Sequence, residues 1–210
     1  MKIHHILACV ATLACCTLAQ ADKNKELPLK VAKQGKLIKS ESFDEKVPAV
    51  GKAARGTWTI VDGALHGKEV LSEKHAAVMN YTHKNRNSIV RFSFKFEDNT
   101  KGFHFSLNHR GGHLCRLSLT PTKMTFGLDK DKKDPKSKAQ RLADASGKFA
   151  PGKWHTMQIE IVGDTFVAQA DNGLHLKASH PKLDTDKPNY RFVMKGNSLA
   201  IDDLMIWETK

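Results

Sequence analysis

Cysteine is scarce in this chain, and its placement is informative. Three of the four cysteines (Cys9, Cys15, Cys16) fall within the first 21 of 210 residues. Cys115 is left alone, so residues 22–210 close no internal disulfide and must rest on a hydrophobic core. Cys115 alternates with Leu117 and Leu119, the pattern of a small buried hydrophobe rather than of a nucleophile beside a base. No apolar run reaches the ~20 residues that a membrane helix needs. The longest, Ile6 to Leu18, follows Lys2 and precedes Ala19-Gln20-Ala21, which reads as a cleaved secretory signal peptide. Lipid attachment at Cys15 or Cys16 is the competing reading, but Leu13-Ala14 stands one place out of step with a lipobox. Residues 1–21 are thus expected to be signal peptide, 22–39 a Lys-rich flexible leader, and 40–210 one domain, exported to the periplasm or beyond.

Acidic residues are also in short supply, 22 against 34 Lys and Arg, for a net charge of +12, or +11 without Lys2. That balance favours acidic partners: an anionic polysaccharide, a cell-surface polymer or nucleic acid. The basic run Lys130 to Lys138 is interleaved with Asp131, Asp134 and Pro135 and reads as a solvated loop. No basic helix or aromatic-interleaved module accompanies it, which argues against nucleic acid. Helical periodicity is nearly absent, and Lys138 to Ala145 is the one stretch expected to be helical. There is no internal repeat. No cofactor is assigned, and no metal. His104, His109 and His113 flank a Gly-Gly turn but match no recognised ligand spacing.

What the chain does have is alternation of period two. Val90, Phe92, Phe94 and Phe96 share one face, with Arg91, Ser93 and Lys95 on the other. Phe103, Phe105 and Leu107 alternate with His104, Ser106 and Asn108; Cys115, Leu117 and Leu119 with Arg116 and Ser118; Met124, Phe126 and Leu128 follow. Such segments form antiparallel sheet with one face in the core. Ser40 to Asp44 reads as a short edge strand, Val47 to Gly56 as a loop, and Thr57 to Gly67 as strand, Asp-Gly turn, strand. Residues 151–180 form the most regular block. Met157 to Val162 pairs with Thr165 to Ala170 across Gly163-Asp164, placing Ile161 opposite Phe166 and Ile159 opposite Ala168. A three-residue loop at Asp171-Asn172-Gly173, with Gly173 left-handed, keeps Leu174, Leu176 and Ala178 on the apolar face. In the last strand, Leu199 and Ile201 are out of phase with Leu204 and Ile206, so a bulge is expected at Asp202-Asp203. A dozen short strands with almost no helix define an all-β, two-sheet antiparallel jelly-roll sandwich.

Several phrases, in order, resemble a known family: Phe43-Asp44, Trp58 to Leu65, Gly152-Lys153-Trp154-His155, the Asp171-Asn172-Gly173 turn, and Ile201 to Trp207. Together they resemble the laminin-G-like, concanavalin A-like jelly rolls, and among these the secreted bacterial 3-keto-disaccharide hydrolase family. The resemblance spans residues 40 to 208. It implies carbohydrate on a concave sheet face or its rim, met either by binding modules or by hydrolases. A glucanase of this fold class sets acidic residues two to five apart along one strand. Glu41/Asp44/Glu45 on the edge strand has the wrong spacing, Glu97-Asp98 and Asp202-Asp203 are adjacent, and Glu160/Asp164 straddle a hairpin, so no catalytic residue is assigned. The expected ligand site is instead a polar patch on neighbouring strands: Arg91, Lys95, His104, Asn108 and Arg116, with Ser93, Ser106 and Ser118 between them. Trp154 stands off the apolar face, as a sugar-stacking ring or a sheet-edge packing residue. The expected function is a carbohydrate-binding or cell-envelope interaction domain using one sheet's polar face; the alternative is a glycoside hydrolase or lyase.

Overall fold

The computed structural model describes residues 23–44, 51–97 and 100–210; the signal peptide expected over 1–21 lies outside them. In chain order the strands are β1 (Gln34–Glu41), β2 (Gly51–Arg55), β3 (Thr57–Val61), β4 (Ala64–Lys68), β5 (Ala77–Asn85), β6 (Ser88–Phe96), β7 (Thr100–His109) and β8 (Gly112–Thr120). There follow β9 (Lys123–Leu128), β10 (Gln140–Ser146), β11 (Trp154–Val162), β12 (Thr165–Ala170), β13 (His175–Ser179), β14 (Lys187–Gly196) and β15 (Leu199–Thr209). They form two antiparallel sheets. The first runs β13-β12-β11-β6-β15-β4-β3 with β1 also on β15; the second runs β10-β9-β8-β7-β14-β5-β2.

The alternating phenylalanines meet between the sheets. Phe92 of the first sheet packs edge-on against Phe103 and Phe192 of the second, with ring centroids 5.8 and 5.2 Å apart. Phe126 and Phe166 stack across the same gap at 3.8 Å. Ile159 and Ile161 are buried in the same core. Each such side chain contributes about 1.5–3 kcal/mol by leaving water. The central hairpins follow the expected register, with Ile161 opposite Phe166, Ile159 opposite Ala168 and Met157 opposite Ala170. Gly173 has φ +85°, and Ala170 N–H donates to Leu174 C=O, so the loop holds three residues. The ladder of β15 slips between Asp202 and Met205, with Asp203 at φ +48°. That bulge restores the phase. It also falls where β15 exchanges β4 for β1 as its neighbour.

Three expectations need correction. Residues 138–145 are not helical: β10 occupies most of this stretch and pairs with β9, with Ala143 opposite Phe126. The ladder offered by β9 and the apolar contacts of Leu142, Ala143 and Ala145 outweigh a weak local helix preference. The loop expected over 47–56 holds strand β2 on β5. The first strand begins earlier than Ser40, at Gln34, and ends at Glu41, so residues 34–39 belong to the first sheet instead of a leader.

Residues 23–33, ahead of β1, lie as a strap over the outer face of the first sheet. Its anchor is Glu160 on β11, whose side chain points away from the core yet is fully buried. The carboxylate accepts N–H bonds from Lys30, Val31 and Ala32 at 2.7–3.0 Å. Elsewhere Asn24 N–H donates to Ser93, Lys25 N–H to Thr156, and Gln158 and Gln169 both donate to Pro28 C=O. Lys23 closes the strap with a 2.7 Å ion pair to Asp202. Glu160→Ala should lower stability by about 3 kcal/mol, since bonds to a charged acceptor contribute most, and should open the strap to proteolysis. Urea denaturation and limited digestion check this; an unchanged midpoint with an intact strap would contradict it. Burial pushes the Cys115 thiol up to about 12. It should therefore resist thiol reagents in the native protein and label only in denaturant.

Candidate functional site

The polar patch expected from Arg91 to Arg116 is divided between the two sheets. Arg91, Lys95 and Trp154 lie on β6 and β11 of the first sheet; His104, Asn108 and Arg116 lie on β7 and β8 of the second. The chain changes sheets between β6 and β7, so Phe92 and Phe103 face one another and their polar neighbours point to opposite sides of the molecule. Alternation reports which side of a strand is apolar, not which sheet holds the strand.

The first-sheet residues are engaged. Lys23 and Lys95 place their ammonium groups 4.4 and 5.3 Å from the centre of the Trp154 ring. The Arg91 guanidinium lies 5.1 Å from the Trp207 ring. These cation–π contacts stabilise the sheet beneath the strap.

The second-sheet residues come together with partners from β14, which sits between β7 and β5. Strand register sets out two outward rows. Arg191, Ser106, Arg116 and Gly127 form one; Val193, His104, Ser118 and Thr125 form the other. Arg191 and Arg116 thus flank Ser106 from either side, their backbones about 10 Å apart, two strand spacings. Arg116 pairs with Asp129 at 2.5 Å. Arg191 has no carboxylate partner among the described residues; it donates to Asn80 Oδ1 at 3.2 Å and His113 Nδ1 at 2.8 Å. His113 Nδ1 also lies 3.0 Å from the Asn108 side chain. His104 Nδ1 bonds Ser118 Oγ at 2.7 Å. Ser106 Oγ, His104 Nε2, Arg116 Nε and the acceptor Asp129 Oδ2 are buried here without a hydrogen-bond partner among the described residues, as are Arg91 Nε and His155 Nε2 on the first sheet.

Burial first, then the nearby Arg116 and Lys195 charges, hold His104 down at about 4. His113 is lowered by burial and by Arg191, and Arg191 itself by burial and by Arg116. A cleft of about 540 Å³ continues from Arg116 over Gly127 toward Arg141, and one of about 260 Å³ lies over His104 and Arg191. Among the described residues no three His, Cys, Asp or Glu side chains are placed to hold a metal ion.

Arg191 and Lys195 were not singled out from the sequence, although Tyr190 to Met194 reads as a strand whose alternation turns them outward. What local sequence does not carry is the insertion of β14 beside β7, a pairing about 85 residues distant.

No family model and no curated sequence matches the chain. Solved structures do. The CBM66 carbohydrate-binding module from Bacillus subtilis superposes with TM-score 0.60 at 13% identity, over 76% of this chain and 96% of that one. The CBM2 module of the evolved Dit protein of Lactobacillus casei BL23 phage J-1 gives 0.63 at 13%, over 85% and 98%. SCLam, a non-specific endo-β-1,3(4)-glucanase, gives 0.60 at 10%, over 90% and 96%. The fold is a concanavalin A-like jelly roll, an all-β antiparallel sandwich.

Because the His104 imidazole sits near 4 in the folded chain and near 6.5 when unfolded, the unfolded state binds the extra proton between those values. Folding stability should therefore be complete above pH 6.5 and fall as pH drops toward 4, by about 1–3 kcal/mol from this group. Urea titrations from pH 7 to 4 measure it. His104→Gln should flatten that part of the profile, and an unaltered slope would contradict the assignment.

Proposed function

We propose that the outer face of the second sheet binds carbohydrate, and that the protein is a glycan-binding or cell-envelope interaction domain exported by its N-terminal signal. One observation carries the reading. The strap occupies the outer face of the first sheet, while the second sheet presents His104, Asn108 and Arg116 beside Arg191 and His113 with donors unpaired. Sugar hydroxyls, which donate and accept, suit such a row of mixed polar groups. The jelly-roll fold it shares with carbohydrate-binding modules supports the reading, though fold does not fix function. Of the residues expected from sequence, His104, Asn108 and Arg116 are retained in the proposed site; Arg91, Lys95 and Trp154 act in holding the strap and its sheet.

The enzymatic form of the proposal, a hydrolase or lyase as the 3-keto-disaccharide hydrolase resemblance implies, would work at this same face. Hydrolysis by paired carboxylates needs two free acids across the bond, and Asp129, which lines the cleft, is bound to Arg116. Binding without turnover is therefore the first expectation. A glycan array on the exported chain, followed by a reducing-sugar assay on whatever binds, tests both readings. Arg116→Ala and His104→Ala should each weaken binding about tenfold, the loss of one charged or buried hydrogen bond. Trp154→Ala should leave binding within about twofold, as expected for a residue outside the contact surface. The converse pattern, in variants shown by circular dichroism to be folded, would place the ligand on the first sheet. Reducing sugar released by the parent chain and lost in His104→Ala would establish the enzyme.

A further inference from the structure

Among the described residues, the pocket over His104 and Arg191 is lined by cations and neutral groups: Arg116, Arg191, Lys195 and Lys74 surround it, with His104 and His113 between, and no carboxylate lines it. Its floor is Ser106, 4% exposed, whose hydroxyl has no partner and stands in register between the two arginines. In the tautomer in which Ser118 Oγ donates to His104 Nδ1, the proton of a neutral His104 lies on Nε2, the unpartnered atom. Arg116 Nε is a donor as well. Three unused donors thus share one basic, part-buried seat. Asp129 pairs with Arg116 at 2.5 Å and reaches Arg191 only as a longer-range attraction, so among the described residues no carboxylate forms an ion pair with Arg191. Two guanidiniums flanking a buried hydroxyl repel one another when the seat is empty. An anion between them would relieve the repulsion and satisfy the donors together.

We infer that this seat takes the anionic group of an acidic glycan, a uronate carboxylate or a sulfate ester, with Ser106 and His104 donating to it between Arg116 and Arg191. The inference rests on the carbohydrate reading above and narrows it to acidic sugars. The neighbouring cleft of about 540 Å³, which runs from Arg116 past Asp129 toward Arg141, leaves room on that side for a further sugar. The seat has no Phe, Tyr or Trp on which a base could stack, which favours a glycan over single-stranded nucleic acid. The net positive charge, +11 without Lys2, acts in the same direction at long range.

Calorimetry on the full exported chain tests the inference with six probes: hexagalacturonate, its methyl ester, a sulfated galactan oligosaccharide, its desulfated form, sodium sulfate, and a 20-nucleotide RNA. At least one acidic oligosaccharide should bind about tenfold tighter than its neutral form, and its affinity should fall between 50 and 300 mM NaCl, as charge-assisted contacts require. Arg191→Gln should remove that preference, and Ser106→Ala, a change small enough to preserve the fold, should weaken acidic binding about threefold while sparing any neutral binding. Equal affinity for the acidic and neutral forms would overturn this inference and leave the carbohydrate reading standing. Sodium sulfate binding as tightly as the acidic glycan would overturn both, since the sugar would then contribute nothing. RNA binding tighter than every glycan would overturn both, and so would no binding by any probe.

Discussion

The buried carboxylate of Glu160 decides which side of this sandwich faces the world. Its position on β11 turns it outward, where a charged side chain would ordinarily be solvated. Instead it is wholly enclosed and accepts three successive backbone N–H groups of the strap. Consecutive N–H groups converging on one point form an anion-binding concavity, and here the anion is the protein's own. A buried charge without such bonds would cost several kcal/mol, so strap and carboxylate depend on each other. The same contact draws Pro28 over Gln158 and Gln169, and Lys23 over Trp154 and Asp202.

The two faces consequently diverge. The first sheet spends its outward Ser, Thr, Gln and Glu side chains on the strap's backbone. Among the described residues the second sheet has no such strap over β7, β8 and β14, and Ser106 Oγ, His104 Nε2 and Arg116 Nε stay without partners there. Positive charge gathers where the backbone does not quench it. The core between the sheets underlies both faces: phenylalanines from the two sheets interlock and hold the strands of each in fixed register.

Much of this was legible in the sequence, and what was not has a common cause. Period-two spacing found the core side of β6 through β9, and turn chemistry found the loop at Asp171-Asn172-Gly173 and the register of the block it closes. The phase break in β15 located the bulge at Asp202-Asp203. All of these are local signals. Residues 34–39 carry few large apolar groups and so did not read as a strand; their pairing with β15 is about 170 residues away. Gln140 to Ser146 resembles a helical turn in isolation and becomes a strand only because β9 offers an edge. The division of the polar patch has the same origin. Arg91, Lys95 and Trp154 alternate as correctly as His104, Asn108 and Arg116, but their strand lies in the other sheet. The strap left little signature, since apart from the Lys23 side chain its contacts are made by backbone groups that every sequence possesses.

Mapping backbone amide shifts by NMR while an acidic oligosaccharide is titrated into the protein tests the central claim most directly, because both faces report at once. The account predicts perturbations at residues 104–118 and 191–195, with the Trp154 indole and the amides of Lys30, Val31 and Ala32 unmoved. Shifts concentrated on Trp154, Arg91 and the strap, with the second sheet silent, would contradict it.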